Sequence, residues 1–133
     1  MSRLLDTNIL SDLIRHPGGQ AARRLAEIGD AEIATSVIVA GELRYGAAKR
    51  GSPRLTERVE AVLPGIDVVN LDDATATAYG EIRAMLELSG RVIGQNDLWI
   101  AAQAKTLGAV IVTDNVGEFE RVEGLVVENW LAN

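Results

Sequence analysis

The chain contains no cysteine and only one histidine among its 133 residues. The absence of cysteine excludes disulfide bonds, zinc–thiolate centres and thiol nucleophiles. The single histidine, His16, stands beside Pro17 in a predicted loop, which argues against a mechanism built on histidine acid–base chemistry. Any catalytic chemistry is therefore expected from other polar side chains.

Long apolar runs are absent as well. The N-terminal stretch reaches Asp6 before the apolar core of a signal peptide could form, and no later run is long enough to cross a bilayer. We therefore expect a cytoplasmic protein with no membrane anchor. The composition is 47% hydrophobic and 24% charged, which is typical of a globular protein, and the length predicts a single domain over residues 1–133.

The chain has fewer basic than acidic residues. The chain has 13 Lys and Arg residues against 19 Asp and Glu residues, which gives a formal net charge of −6. Proteins that bind nucleic acid through charge alone are usually basic, because neutralised phosphates supply most of the affinity. The acidity counts against a nucleic-acid partner unless part of the negative charge is gathered in a metal site.

Short apolar strands alternate with amphipathic helices along the whole chain. The predicted strands cover residues 4–5, 31–35, 67–70, 110–112 and 125–127, and helices include 20–28, 37–50 and 98–107. Ser36 is a predicted helix cap, and Asp72 or Asp73 caps another helix. No Asn-Gly hairpin joins two strands, so the pattern predicts an α/β fold with parallel strands and helices on both faces.

Four acidic residues are predicted near the carboxyl ends of these strands, where open α/β sheets bind ligands. Asp6 follows the first strand and Asp114 follows the fourth, while Asp97 begins the helix before the fourth strand. Glu42 lies about 9 Å along the helix that follows the second strand. Each has an ordinary alternative: Asp6 and Asp97 as helix caps, Glu42 as a surface residue and Asp114 as part of a turn.

If these carboxylates meet, they need a proton or a cation. Two carboxylates about 4 Å apart repel by roughly 4 kcal/mol at an effective dielectric near 20, so such a cluster raises its pKa values or binds a metal. Oxygen ligands suit Mg²⁺ and Mn²⁺. Such ions can activate water for phosphodiester cleavage.

The sequence around the four acids resembles the motifs of PIN-domain nucleases, in order along the whole chain. The matching segments are Leu5-Asp6-Thr7-Asn8-Ile9-Leu10, Val39-Ala40-Gly41-Glu42-Leu43-Arg44-Tyr45-Gly46, Asn96-Asp97-Leu98-Trp99-Ile100-Ala101-Ala102, Val112-Thr113-Asp114-Asn115 with Glu118-Phe119, and the ending from Gly124-Leu125 to Trp130. The compactness of the chain resembles the VapC toxins of bacterial toxin–antitoxin pairs more than the larger eukaryotic PIN nucleases.

This resemblance implies a three-layer α/β/α sandwich with a mainly parallel sheet of about five strands. It also implies an Mg²⁺- or Mn²⁺-dependent endoribonuclease with Asp6, Glu42 and Asp97 at its metal site. Aligned on Phe119, the family's fourth position falls on Asn115, and the acid is its neighbour Asp114, which we rank ahead of Glu118. Supporting roles, by hydrogen bonding rather than ligation, are expected for Thr7, Asn8 and Thr113.

The resemblance further implies an RNA substrate, with tRNA and ribosomal RNA both open, a cognate antitoxin and a homodimer. The densest basic stretch is a candidate RNA contact, although each member also fits a solvated helix face: Arg44, Lys49, Arg50, Arg54 and Arg58. An apolar stripe is either a partner surface or part of the domain's own core: Leu55, Val59, Val62 and Leu63. An antitoxin segment carrying Arg would pair with the carboxylates and block the site.

Several other functions use the same residue types. A DNase or another metal-dependent phosphoesterase is the nearest alternative, and a PIN-like module that binds RNA or protein without cleavage is the non-enzymatic one. A receiver-like phosphoacceptor lacks a suitable lysine beyond a late strand. A sugar hydrolase with paired carboxylates does not explain the order of the motifs.

Overall fold

The computed structural model describes residues 2–29 and 32–132. These two described ranges contain five strands: β1 (Arg3–Leu5), β2 (Ile33–Ser36), β3 (Asp67–Val69), β4 (Val110–Val112) and β5 (Val127–Glu128). They form one sheet in the order β3-β2-β1-β4-β5, and every neighbouring pair is parallel. The parallel sheet predicted from the alternating pattern is confirmed.

Within the described residues, seven helices flank the sheet and complete the three-layer α/β/α arrangement. They are α1 (Thr7–Arg15), α2 (Gln20–Ile28), α3 (Val37–Arg50), α4 (Pro53–Val62), α5 (Asp73–Leu88), α6 (Gln95–Leu107) and α7 (Val116–Phe119), with a 3₁₀ turn at Leu63–Gly65. Ser36 caps α3 by accepting from the Ile38 N–H, and Asp72 caps α5 by accepting from the Thr75 N–H. No described helix is both long and apolar enough to cross a bilayer.

The core is built from the two central strands and the helices packed on them. Leu4, Leu5, Ile111 and Val112 of the central strands are fully buried, as expected for strands covered on both faces. From the apolar stripe of the sequence, Val59 and Leu63 are buried, and Leu55 and Val62 pack against the same core. The stripe therefore belongs mainly to the domain's own interior.

Predicted element boundaries differ from the observed ones at several ends. The predicted strand 31–35 begins at a residue outside the described part of the chain, and the third strand ends at Val69 rather than at residue 70. The fifth strand was predicted at 125–127 but covers Val127–Glu128, because the Leu125 N–H bonds to the Val122 carbonyl in a turn. Helix α6 begins at Gln95 rather than at residue 98, and the one-turn helix α7 was not predicted.

Candidate active site

The centre of the candidate site lies at the carboxyl ends of β1 and β4. These strands pair in register with Leu5 opposite Val112, so the next residue of each, Asp6 and Thr113, stand side by side. Both are buried, and the Thr113 hydroxyl donates to Asp6 Oδ2 at 2.7 Å. The register of the sheet therefore joins two residues that are 107 positions apart in sequence.

Asp6 is at once the cap of α1 and the innermost acid of the site. Its Oδ1 accepts from the Thr7 N–H at 2.8 Å, which leaves Oδ2 for the Thr113 hydroxyl. Burial raises the pKa of Asp6 above its ordinary value, the two hydrogen bonds oppose this rise, and the charges of Glu42 and Asp114 add to it. The capping role and a site role use different oxygens, so the two interpretations of Asp6 are compatible.

Glu42 approaches the same edge from α3. Its Oε1 accepts a hydrogen bond from the Thr7 hydroxyl at 2.8 Å. Thr7 thus uses its backbone to hold Asp6 and its side chain to hold Glu42. The position of Glu42 one and a half turns into the helix is what allows its side chain to reach the rim.

Asp97 lies in the first turn of α6 and is half-buried. Burial, a hydrogen bond with Glu118 and the charges of Asp6, Glu118 and Glu42 raise the pKa of Asp97 to about 8. The same bond lowers the pKa of the Glu118 carboxyl. The ionisation of one acid therefore affects that of the other.

Asn115 holds this acidic pair in place. Its amide nitrogen donates to Asp97 Oδ2 at 3.2 Å and to Glu118 Oε2 at 2.8 Å. Its backbone N–H donates to the Thr113 hydroxyl oxygen at 3.0 Å. A continuous chain of hydrogen bonds consequently runs from Asp6 through Thr113 and Asn115 to both carboxyls of the pair.

Asp114 and Glu118, the two candidates for the fourth acid, have different surroundings. Asp114 is exposed, and its Oδ1 accepts from the side-chain amide of Asn8. Glu118 is half-buried and bonds directly to Asp97. The family resemblance ranks Asp114 first because it adjoins Asn115, on which the family's fourth position falls. The sequence gives no signal for the one-turn helix α7 that carries Glu118 to Asp97.

The donor set fits a hard divalent cation. Within residues 2–29 and 32–132, no three Asp, Glu or His side chains are already arranged as a metal-binding group, and Thr and Asn side chains satisfy the carboxylates. No Lys or Arg side chain in this part of the chain bonds to Asp6, Glu42 or Asp97. Carboxylate oxygens without a cationic partner are the ligands that Mg²⁺ and Mn²⁺ prefer.

In the structure, the basic residues of this stretch fall into two groups, those with a partner side chain and those that line a surface cavity. The Arg44 guanidinium forms two hydrogen bonds of 2.9 Å to the carboxylate of Glu60, and the Lys49 ammonium lies 5.8 Å from the centre of the Tyr45 ring. Arg50, Arg54 and Arg58 instead line a surface cavity, together with Arg15 of α1. Arg15 was not singled out from the sequence, because it joins the others only through the packing of α1 on α4.

Comparisons with known proteins agree with this architecture. A PIN domain family model matches residues 3–125. A tRNA(fMet)-specific endonuclease VapC from Shigella flexneri is 40% identical, with 96% of each chain covered. The crystal structure of VapBC2 from Rickettsia felis, bound to a promoter DNA fragment, superposes with a TM-score of 0.91 at 32% identity and covers 98% of this chain and 99% of that one.

A toxin–antitoxin complex from Klebsiella pneumoniae matches with a TM-score of 0.73 at 27% identity, over 94% of this chain and 96% of that one. The family model and the identity over nearly the whole length go beyond a shared fold. The chain belongs to the PIN-domain family and, within it, to the VapC ribonucleases.

Proposed function

We propose that this chain is a metal-dependent endoribonuclease, acting as one domain over residues 1–133, and the toxin of a toxin–antitoxin pair. The observation that supports the proposal is that Thr7 bonds to both Asp6 and Glu42, and that burial, together with Glu118 and the charges of these two acids, raises the pKa of Asp97 to about 8. The named VapC relatives are ribonucleases, which supports RNA as the substrate.

Mg²⁺ or Mn²⁺ would be held by Asp6, Glu42 and Asp97, and when bound it supplies Lewis-acid activation of water and neutralises developing charge. Asp114 and Glu118 are the candidates for a fourth carboxylate. The bond between Glu118 and Asp97 supports Glu118, and the effect of the Asp114 charge on Asp6 supports Asp114. Thr7, Thr113 and Asn115 orient the acids, as hydrogen-bonded residues around metal ligands do, and Asn8 restrains Asp114.

In the proposed reaction, water attacks the phosphorus in line and the bond to the 3′ oxygen breaks, leaving a 5′-phosphate and a 3′-hydroxyl. Glu42, held by the Thr7 hydroxyl, is placed to take the proton of the water. Analysis of the product ends tests this chemistry directly. A 2′,3′-cyclic phosphate would contradict it.

The first experiment is incubation of the purified protein, free of antitoxin, with total RNA and with tRNA in Mg²⁺ or Mn²⁺. The relative from Shigella flexneri is named for tRNA(fMet), so tRNA is the first substrate class to test. Discrete cleavage that is lost in EDTA and in Asp6→Asn is the expected result. A folded sample that binds metal but cleaves neither RNA nor DNA would instead indicate a binding module.

The proposed partners are a cognate antitoxin and a second copy of the chain. The antitoxin is supported by the matching structure from Klebsiella pneumoniae, which is a toxin–antitoxin complex. An antitoxin arginine can pair with the carboxylates in place of a cation. Inhibition by an antitoxin peptide is then expected to weaken on Arg→Ala substitution, and the homodimer is checked by light scattering.

A further inference from the structure

A groove leads away from Glu42 between α1, α3 and α4. It consists of two adjoining cavities of about 230 Å³ and 270 Å³. The first contains Thr7 and Glu42 at one end, and both cavities share Ile14, Arg15, Arg50 and Leu55 along their common wall. The groove is therefore continuous with the candidate active site.

Four arginines gather at the far part of this groove, and we call them the arginine groove: Arg15, Arg50, Arg54 and Arg58. All four are exposed. None forms a hydrogen bond or an ion pair through its side chain within the described residues, whereas Arg3, Arg44 and Arg83 each bond to a glutamate. Four unneutralised guanidinium groups in a chain of net charge −6 indicate a surface that receives anions from outside.

The residues on the floor of the groove indicate which kind of anionic ligand binds there. Most of its apolar residues are already covered by the domain's own core, since Ile14, Leu43, Ala47 and Val59 are each at most 7% exposed and Leu55 is half-buried. A peptide helix would find little apolar surface to bury there. A chain of phosphates needs guanidinium groups and no apolar floor, because Arg binds phosphate through paired N–H donors.

We propose that the arginine groove binds the phosphate backbone of single-stranded RNA and guides that strand into the Glu42 site. This inference rests on the proposed ribonuclease function. A single strand is required because Asp6 is only 5% exposed and Asp97 is half-buried. An unpaired segment can bend its backbone toward such recessed groups, and unpaired loops are the common targets of RNA-binding proteins.

The test is the salt dependence of binding of a short, unstructured RNA oligonucleotide in EDTA, measured by fluorescence anisotropy. Each phosphate contact to a single strand contributes about −0.7 to the slope of log K against log salt, so Arg54→Gln with Arg58→Gln is expected to make the slope shallower by about 1.4. The double Lys variant at the same two positions is expected to retain most of the slope, because the charges remain.

The matched control is Arg24→Gln with Arg83→Gln, which removes the same charge from arginines that have glutamate partners. Its slope is expected to stay close to that of the unmodified protein. An unchanged slope in the Arg54 and Arg58 variant overturns the proposal. If the slope of that variant is unchanged but the variant binds the cognate antitoxin more weakly, the groove is assigned to a protein partner instead.

The assay contains no divalent metal, so its outcome is independent of cleavage. If the unmodified protein binds RNA with the expected salt dependence but never cleaves it, the proposed ribonuclease activity is wrong and the assignment of the arginine groove to RNA binding is retained. If it cleaves RNA while the slope does not depend on the groove, the activity stands and the groove assignment fails.

Discussion

Thr113 donates its hydroxyl hydrogen to Asp6 Oδ2 at 2.7 Å, and both side chains are buried. The same hydroxyl oxygen accepts from the Asn115 N–H. One threonine side chain thus links the acid that follows β1 to the loop that holds Asp97 and Glu118. The orientation of the acids consequently depends on a residue that carries no charge.

Replacement of Thr113 by valine is expected to lower the rate of RNA cleavage by roughly 10- to 100-fold, the usual loss when a residue that orients a metal ligand is removed. Valine has nearly the same shape but can neither donate to Asp6 nor accept from Asn115. Thr113→Ser keeps both functions and is expected to retain most of the activity. Steady-state cleavage of a defined RNA measures this effect, and equal losses in the two variants would contradict it.

The stability of the metal-free protein is expected to fall as the pH rises from about 4 to about 8. Burial, the bond to Glu118 and neighbouring charges raise the pKa of Asp97 to about 8, against an ordinary value of 3.8. A carboxyl with a raised pKa contributes stability fully below its unfolded pKa and loses it as the pH rises through the folded one. The raised pKa of buried Asp6 acts in the same direction.

Thermal unfolding in EDTA across this pH range measures the effect, and Asp97→Asn is expected to flatten the dependence. The lowered pKa of Glu118 acts at more acidic pH, below its ordinary value of 4.5, so it does not cancel the trend above pH 5. If Asp97→Asn loses stability with rising pH as steeply as the unmodified protein, the pKa of Asp97 is not raised in the folded state.

The sequence predicted the parts of the fold and site that depend on regular structure. The alternation of short β-branched strands with helices leads to the parallel sheet, and the rule that ligands bind at strand ends leads to Asp6 and Asp114. Helix rise alone predicts Glu42 near the same edge, and its side chain bonds there to the Thr7 hydroxyl. Each of these steps uses only spacing along one element.

The contacts that the sequence did not predict depend on how separate elements pack. The bond between Asp97 and Glu118 requires α7, a helix of one turn that leaves no periodicity to detect. The participation of Arg15 in the arginine groove requires α1 to lie against α4. The resemblance places the family's fourth position on Asn115, but it does not predict that the Asn115 amide bonds to both acids of the pair.

Divalent cations are expected to stabilise the folded protein. A ligand that binds only the native state adds about 2.7 kcal/mol when its free concentration is 100 times its Kd. Mn²⁺ or Mg²⁺ should therefore raise the Tm of the unmodified protein, and Asp6→Asn should abolish most of that rise. Asp73→Asn, on a helix start outside the site, is the control that loses the same charge and keeps the response.

The fourth acid is decided by comparing Glu118→Gln with Asp114→Asn. Each variant removes one negative charge and preserves side-chain shape, so a difference between them reports position rather than charge. Glu118 bonds to Asp97, whereas Asp114 is exposed and bonds to Asn8. We therefore expect Glu118→Gln to cause the larger loss of cleavage and of Mn²⁺ affinity.

A second readout separates metal ligation from simple positioning of Asp97. If Glu118 is a ligand, raising the Mn²⁺ concentration should restore part of the activity of Glu118→Gln, because a weakened site fills again by mass action. If Glu118 only positions Asp97, the loss should persist at saturating Mn²⁺. A larger and Mn²⁺-dependent loss in Asp114→Asn would place the fourth ligand at Asp114, and the Asn8 amide would then be the group that orients it.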